Sequence, residues 1–146
     1  MDLSDAVSFT RRRHQGVLVT RRSDGGPQLS NILFCASSPG AGADTVIRIS
    51  VTADRAKTKN LRRDGRCSLY VPGESFWSYV VLDGTAELSA VAQSADDAIT
   101  EELVQLYRDI RGEEHPDWDE YRRVMVDEHR VVVRFTPTHA YGMVND

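Results

Sequence analysis

Long apolar runs are missing from this 146-residue chain. None comes near the ~18 consecutive apolar residues needed to cross a bilayer. The opening stretch, MDLSDAVSFTRRRH, has no apolar segment of the kind a secretion signal requires. A cytoplasmic protein with no membrane partner is therefore expected. Cysteine is scarce: only Cys35 and Cys67 are present, without a CxxC pair, and two buried reduced thiols are expected ahead of a disulfide or redox pair. The four histidines, His14, His115, His129 and His139, show no metal-ligand spacing, and no metal site is expected. The chain has no G-x-S-x-G elbow and no P-loop, which argues against a serine hydrolase or an NTPase. Internal repeats and low-complexity tracts are also lacking. Lysine is nearly absent too, with two residues against sixteen arginines.

What remains is an ordinary globular composition, 40% apolar and 27% charged, at a length that fits one domain spanning 1–146. Asp5 to Arg13 reads as a short opening helix. Gly16 to Arg22 reads as a strand, turned by Ser23-Asp24-Gly25-Gly26-Pro27 into a return strand from Gln28 to Ser37. A second turn cluster, 38–44, contains Gly40 and Gly42, which belong to a turn and not to a dinucleotide fingerprint. Thr45 to Thr52 alternates, with Thr45, Ile47, Ile49 and Val51 on one face and Val46, Arg48, Ser50 and Thr52 on the other.

Asp54 is placed to cap a basic helix over 55–64 that Gly65 would end. Strands follow over 66–71 and, in two segments about Asp83-Gly84, over 77–90. Ser94-Ala95-Asp96-Asp97 opens a helix whose Ile99, Leu103, Leu106, Tyr107 and Ile110 recur at helical spacing. A second helix covers about 117–129, and 130–143 is a closing strand that Pro137 confines in part to an edge or bend. Strands in hairpin order disfavour a doubly wound parallel sheet. The fold expected is mainly β (α+β), an antiparallel barrel with peripheral helices.

The net charge of -4 hides an asymmetry. Residues 55–66 hold six cations against one acid, whereas 94–129 hold twelve acids against four arginines. Nucleic acid would be repelled by the acidic half, while a compact basic spot suits a small anionic ligand. In 50–61, a polar strand face runs into the exposed amides of a helix start, where phosphate is attracted. Arg55 and Lys57 add full charges there. Both lysines of the chain, Lys57 and Lys59, fall in this helix, and clustering on a merely solvated basic face would account for the same pattern. Phe76-Trp77-Ser78-Tyr79 offers an aromatic face to a planar ligand, with core packing as the alternative. His139 and Tyr141 could line a pocket or simply pack. In the second strand, Gln28, Ser30 and Ile32 alternate with Leu29, Asn31 and Leu33, so some polar groups must face inward or toward a ligand.

Four segments in order, 26–31 (GPQLSN), 55–64 (RAKTKNLRRD), 77–79 (WSY) and 117–122 (DWDEYR), resemble the F420-dependent branch of the pyridoxamine 5'-phosphate oxidase-like split-barrel superfamily. The likeness extends to His139-Ala140-Tyr141-Gly142. It implies a six-stranded antiparallel split β-barrel (the FMN-binding split barrel), a homodimer, and two cofactor sites in grooves between subunits. By that likeness Arg48, Ser50, Arg55, Lys57, Thr58 and Asn60 fall to cofactor binding, chiefly of its phosphate and tail. Trp77, Ser78 and Tyr79 frame the site, and Gln28, Ser30 and Asn31 lie near the ring. The activity implied is hydride transfer from reduced coenzyme F420 to a small-molecule acceptor: an enone, a quinone or a tetrapyrrole such as biliverdin. Tyr79, His139 or solvent would supply a proton. Alternatives are an FMN-dependent oxidase or reductase of the pyridoxamine-phosphate oxidase type, and a non-catalytic F420-binding carrier. An arginine-rich composition also fits a high-GC genome, and F420 is common in actinobacteria.

Overall fold

The structure is a computed structural model that describes residues 1–37 and 45–145; the turn expected over 38–44 lies outside the described residues. Among the described residues four helices accompany seven strands: α1 (Leu3–Arg11), β1 (Gln15–Arg21), β2 (Pro27–Leu33), β3 (Cys35–Ser37), β4 (Val46–Thr52), α2 (Ala56–Arg63), β5 (Arg66–Pro72), β6 (Tyr79–Leu88), α3 (Ala98–Arg111), α4 (Trp118–Asp127) and β7 (Arg130–Met143). The strands form one antiparallel sheet in the order β2-β1-β5-β6-β7-β4-β3.

That order forces curvature. β2 and β3 lie at opposite ends of the sheet, yet only Phe34 separates them in the chain. The sheet must therefore curl until its two edges meet at Phe34, which is fully buried. The expected six-stranded count is corrected to seven for this reason. The single strand expected over 28–37 changes neighbours at Phe34, pairing with β1 before it and with β4 after it. Beyond the three residues of β3, no strand among the described residues lies between the edges of β2 and of the second half of β4, which leaves a seam in the barrel wall.

Period-two alternation fills the barrel. Leu18, Ile47, Ile49, Val51, Leu69, Val71, Val80, Leu82, Val131, Val133 and Phe135 point inward, and α1 adds Ala6 and Phe9. A smaller cluster joins outward-facing Val132 to Ala92, Leu103 and Met125, so α3 and α4 pack on the outside of the sheet. The two segments expected about Asp83-Gly84 are one strand with a bulge at that point. A Cβ on Gly84 would run into the Thr136 carbonyl oxygen, so the position requires glycine. Pro137 sits opposite that bulge, beyond the stretch of β7 that pairs with β4, where its missing N–H breaks no ladder.

Asp97 caps α3, its carboxylate accepting the backbone N–H of Thr100, Gln93 and Ser94, and Gly112 ends the helix at a φ of 68°. No helix among the described residues is long and apolar enough to cross a membrane. Both cysteines are free thiols, Cys67 buried and Cys35 half-buried; burial pushes the Cys67 thiol up to about 12.

Candidate functional site

The seam opens into a cleft of about 330 Å³. One wall is β2, with Asn31, Ile32 and Leu33; the other is built from Ser50 of β4, Lys57 of α2 and Arg130 of β7. The roof comes from the ends of α3 and α4, where Tyr107, Arg111 and Tyr121 reach over the opening. Three cations thus line one small cleft, and no carboxylate among the described residues lines it. A second cleft, of about 440 Å³, continues across the same strand, sharing Asn31, Ile32 and Leu33 and adding Gln15, Val17 and Pro72.

Local sequence explains how α2 delivers its charge. The helix begins at Ala56, one residue later than the sequence suggests, so Arg55 takes the N-cap position and no side chain caps the first turn. The expectation that Asp54 caps this helix is corrected accordingly, because Asp54 lies one position too early. The helix also stops at Arg63, with extended Asp64 as its C-cap, before Gly65 is reached. Uncapped first-turn amides leave the positive end of the helix open.

Thr58 and Asn60 are buried and hold α2 in place. The Thr58 hydroxyl donates to the Thr52 carbonyl at 2.7 Å, while the Asn60 amide donates to Thr20 Oγ1 at 3.1 Å and accepts from Arg63 at 3.0 Å. Arg55 is exposed. Lys57 is half-buried, and burial, with the charges of Arg55 and Arg130 added, holds its ammonium below the usual lysine value.

Arg130 completes this wall. Its Nε and Nη2 donate to Glu128 Oε2 at 3.1 and 2.8 Å, and its Nη1 lies 3.4 Å from both the carbonyl and the hydroxyl oxygen of Ser50. One buried hydroxyl on a strand bordering the seam, Ser30 Oγ, has no hydrogen-bond partner among the described residues and lies outside the cleft lining. Unsatisfied buried hydroxyls are uncommon in a folded chain.

The remaining sequence candidates fall elsewhere. Gln28 and Ser30 share the half-buried face of β2, while Asn31 is exposed. Arg48 pairs with Glu102 of α3 at 3.0 Å, donates to Ser37 and lines a separate cleft with Cys35. Ser78 is buried, and its hydroxyl accepts the Asn145 N–H at 2.7 Å. Tyr79 stacks on Tyr70 with ring centroids 5.7 Å apart. Trp77 is 68% exposed and packs edge-on against Phe76, so neither forms core. His139 and Asp83 pair at 3.1 Å on the outer sheet face, with Ser68 donating to the same carboxylate. Trp77, Ser78, Tyr79 and His139 do not line the seam of their own chain.

With this geometry in place, comparison with known proteins is decisive at one level. The family model described as pyridoxamine 5'-phosphate oxidase matches residues 4–143. The chain belongs to the pyridoxamine 5'-phosphate oxidase family. Among solved structures, a conserved hypothetical protein from Mycobacterium tuberculosis superposes with a TM-score of 0.69 at 23% identity, over 96% of this chain and 82% of that one. An F420 reductase matches at 0.61 and 22%, over 92% and 94%. A putative pyridoxamine 5'-phosphate oxidase from Listeria innocua matches at 0.62 and 17%, over 96% of each chain. These identities speak for the fold, which is the split barrel.

In this family member, sequence reasoning missed Arg130, Arg111, Tyr107 and Tyr121. Arg130 stands 80 residues from Ser50 and only strand pairing joins them, Thr52 opposing Arg130. Tyr107 was legible only as a helix-face position, and Tyr121 only as part of the 117–122 segment. In the structure they belong to an aromatic cluster with His115 and Trp118, ring centroids 5.1 to 5.6 Å apart, and the Arg111 guanidinium lies 5.6 Å from the Tyr107 ring. Burial pushes the Tyr121 hydroxyl up to about 12, and it donates to the Leu103 carbonyl at 3.2 Å, so it serves as packing and not as a proton source.

Proposed function

We propose that this protein is a cytoplasmic F420H2-dependent reductase that passes a hydride to an electron-poor small molecule and works as a homodimer. The observation that carries the reading is the convergence of Lys57, Arg130 and Arg111 on one cleft beside the uncapped start of α2. Cations with unsatisfied amide donors suit a phosphate-bearing ligand.

In this reading Lys57, Arg55, Arg130 and Ser50 hold the phosphate end, and Thr58 and Asn60 keep α2 in position. Arg111 and Tyr107 cover the opening and exclude water. Gln28, Ser30 and Asn31 of β2 lie toward the ring. A reduced deazaflavin, when bound, supplies the hydride; the chain's residues orient it and shield it. The homodimer is supported by exposed large apolar side chains, Leu29 and Leu33 on β2, Tyr141 and Met143 on β7, and Phe76 and Trp77 just before β6. A second copy would bring Trp77 and Tyr79 to the rim of its partner's groove, with Tyr79 or His139 near the acceptor as proton donor.

Titration with F420 and with FMN, followed by tryptophan quenching, tests the reading. F420 saturates the parent, and Lys57→Ala and Arg55→Ala each weaken it by about 1.5–3 kcal/mol through loss of a charge-assisted contact. Equal binding by both variants removes the site. FMN retained in preference to F420 moves the protein to the flavin branch, and saturable F420 binding without turnover of enones, quinones or biliverdin makes it a carrier.

A further inference from the structure

Arg130 reaches the seam through a short link. α4 ends at Asp127 with Glu128 as its C-cap, β7 begins at Arg130, and His129 lies between. His129 has a φ of 54°, the one positive φ outside glycine among the described residues. Glycine is the usual occupant of such a helix end, and a side chain there carries strain that persists only where the surroundings hold it. Here they do. The His129 N–H donates to the Val126 carbonyl at 3.0 Å and its carbonyl accepts the Ala53 N–H at 2.9 Å, tying the turn to α4 and to the end of β4. The residues on either side of the turn then meet: a single oxygen of Glu128, Oε2, accepts from Arg130 Nε at 3.1 Å and from Nη2 at 2.8 Å.

Resting on the cofactor reading above, we propose that Glu128 is a positioning residue: it holds one edge of the Arg130 guanidinium from behind, so that the other edge is presented to the phosphate end of the ligand. The geometry divides the fork in two. Nε and Nη2 donate to Glu128, which does not line the cleft, while Nη1 lies toward Ser50, which does. Ser50 cannot hold the fork alone, since its two oxygens lie 3.4 Å away, beyond the usual N–H···O range. Without the carboxylate, Arg130 would meet only the repulsion of Lys57 and Arg111, in a cleft with no acid among its described lining residues, and would turn toward solvent. A fork already held has less freedom to lose when phosphate binds. Stability gives little reason for the pair, because side chains 27% and 39% exposed form a bridge that water largely screens.

A double-mutant cycle read by F420 titration, with folding checked by circular dichroism, isolates an effect that passes through Arg130. Glu128→Ala should weaken F420 binding roughly fivefold, while in an Arg130→Ala background the same change should alter affinity by less than about twofold. Glu128→Gln, which keeps the shape and an acceptor oxygen but not the charge, should fall between, and it decides the matter if the alanine variant does not fold. Ligand-free protein gives a second readout. The Arg130 Nε–H signal in proton–nitrogen NMR, assigned by its loss in Arg130→Ala, should move toward the position of free arginine side chains in both Glu128 variants. Tighter F420 binding by either variant would mean that the carboxylate acts as a repelling charge, and equal losses in the two backgrounds that it supports the fold without acting through Arg130. Either result overturns the proposal, as does an unmoved Arg130 signal. Glu128 variants that bind as the parent does, while Lys57→Ala and Arg130→Ala bind more weakly, overturn it and leave the cofactor reading intact. A parent that binds neither F420 nor FMN removes the cofactor reading and this proposal together.

Discussion

The acidic hairpin over 94–129 and the basic segment over 55–66 are both densely charged, with opposite sign, yet their charges are used differently. In the hairpin the charges are largely engaged. Asp97 caps α3, Glu101 pairs with Arg122, Glu114 with Arg108, and Glu102 with both Arg48 and Arg134. In the basic segment, Arg55, Lys57, Lys59 and Arg62 make no ion pair among the described residues, and only Arg66 pairs, with Asp64. Net charge alone does not mark a site. Of the four unpaired cations only Lys57 lines the cleft, where it stands with Arg111 and with Arg130, which Glu128 holds.

Four substitutions would break or sharpen that contrast. Arg130 belongs to both classes, since Glu128 of the hairpin holds it while it lines the cleft. Arg130→Ala should lower F420 affinity roughly tenfold or more and also cost about 1 kcal/mol of stability, read by ligand titration and urea unfolding. Affinity equal to the parent's would show that the seam cations do not act together.

Glu102→Ala leaves two partly buried guanidiniums without their carboxylate. It should destabilise by about 1–2 kcal/mol, below the range for fully buried pairs because all three groups keep some solvent contact. Ligand affinity should stay near the parent's, since Glu102 does not line the seam; a large loss of affinity would mean that the hairpin's charges serve the cleft after all.

Asp97→Ala should cost about 1 kcal/mol through loss of the cap. Burial alone would raise the Asp97 carboxyl, but backbone donors at Gln93, Thr100 and Ser94 bring it down to about 2. A depressed value means that the contribution is complete above the ordinary carboxyl value of about 3.9 and is lost as pH falls from there toward 2. Urea midpoints measured across that window should fall more steeply for the parent than for the variant. The smallest effect is expected for ligand-free Lys57→Ala. Removing a half-buried cation that has only cations as charged neighbours should leave stability within about 0.5 kcal/mol of the parent's or slightly higher, by thermal unfolding. A clear loss would mean that Lys57 supports the fold.

Much of the fold was legible because it rests on local rules. The hairpin at Asp24-Gly25, the alternation of 46–52, the helical face of 98–111 and the closing strand over 130–143 all follow from turn chemistry and period. The errors are also local and small. α2 starts one residue late, which moves the cap position from Asp54 to Arg55, and a strand expected to be continuous over 28–37 breaks at Phe34.

The candidate site was legible only in part. Ser50, Lys57 and Asn31 do line one cleft. Arg48 resembles them in the strand pattern, but its partner is Glu102, 54 positions away. Arg130 and Arg111 carried no signal, because nothing in their neighbourhood distinguishes them from other arginines.

By itself, then, the sequence determined the strand and helix periods, the placement of turns and the concentration of cations at the start of one helix, since each depends on residues within a few positions of one another. The tertiary structure alone decided that β2 and β4 stand at the two sides of an incomplete closure, and that Arg130 and Arg111 meet Lys57 there. Those facts depend on which strand becomes whose neighbour when the sheet curls. Curling is settled by the burial of a shared core and by the single-residue link at Phe34, not by any local motif.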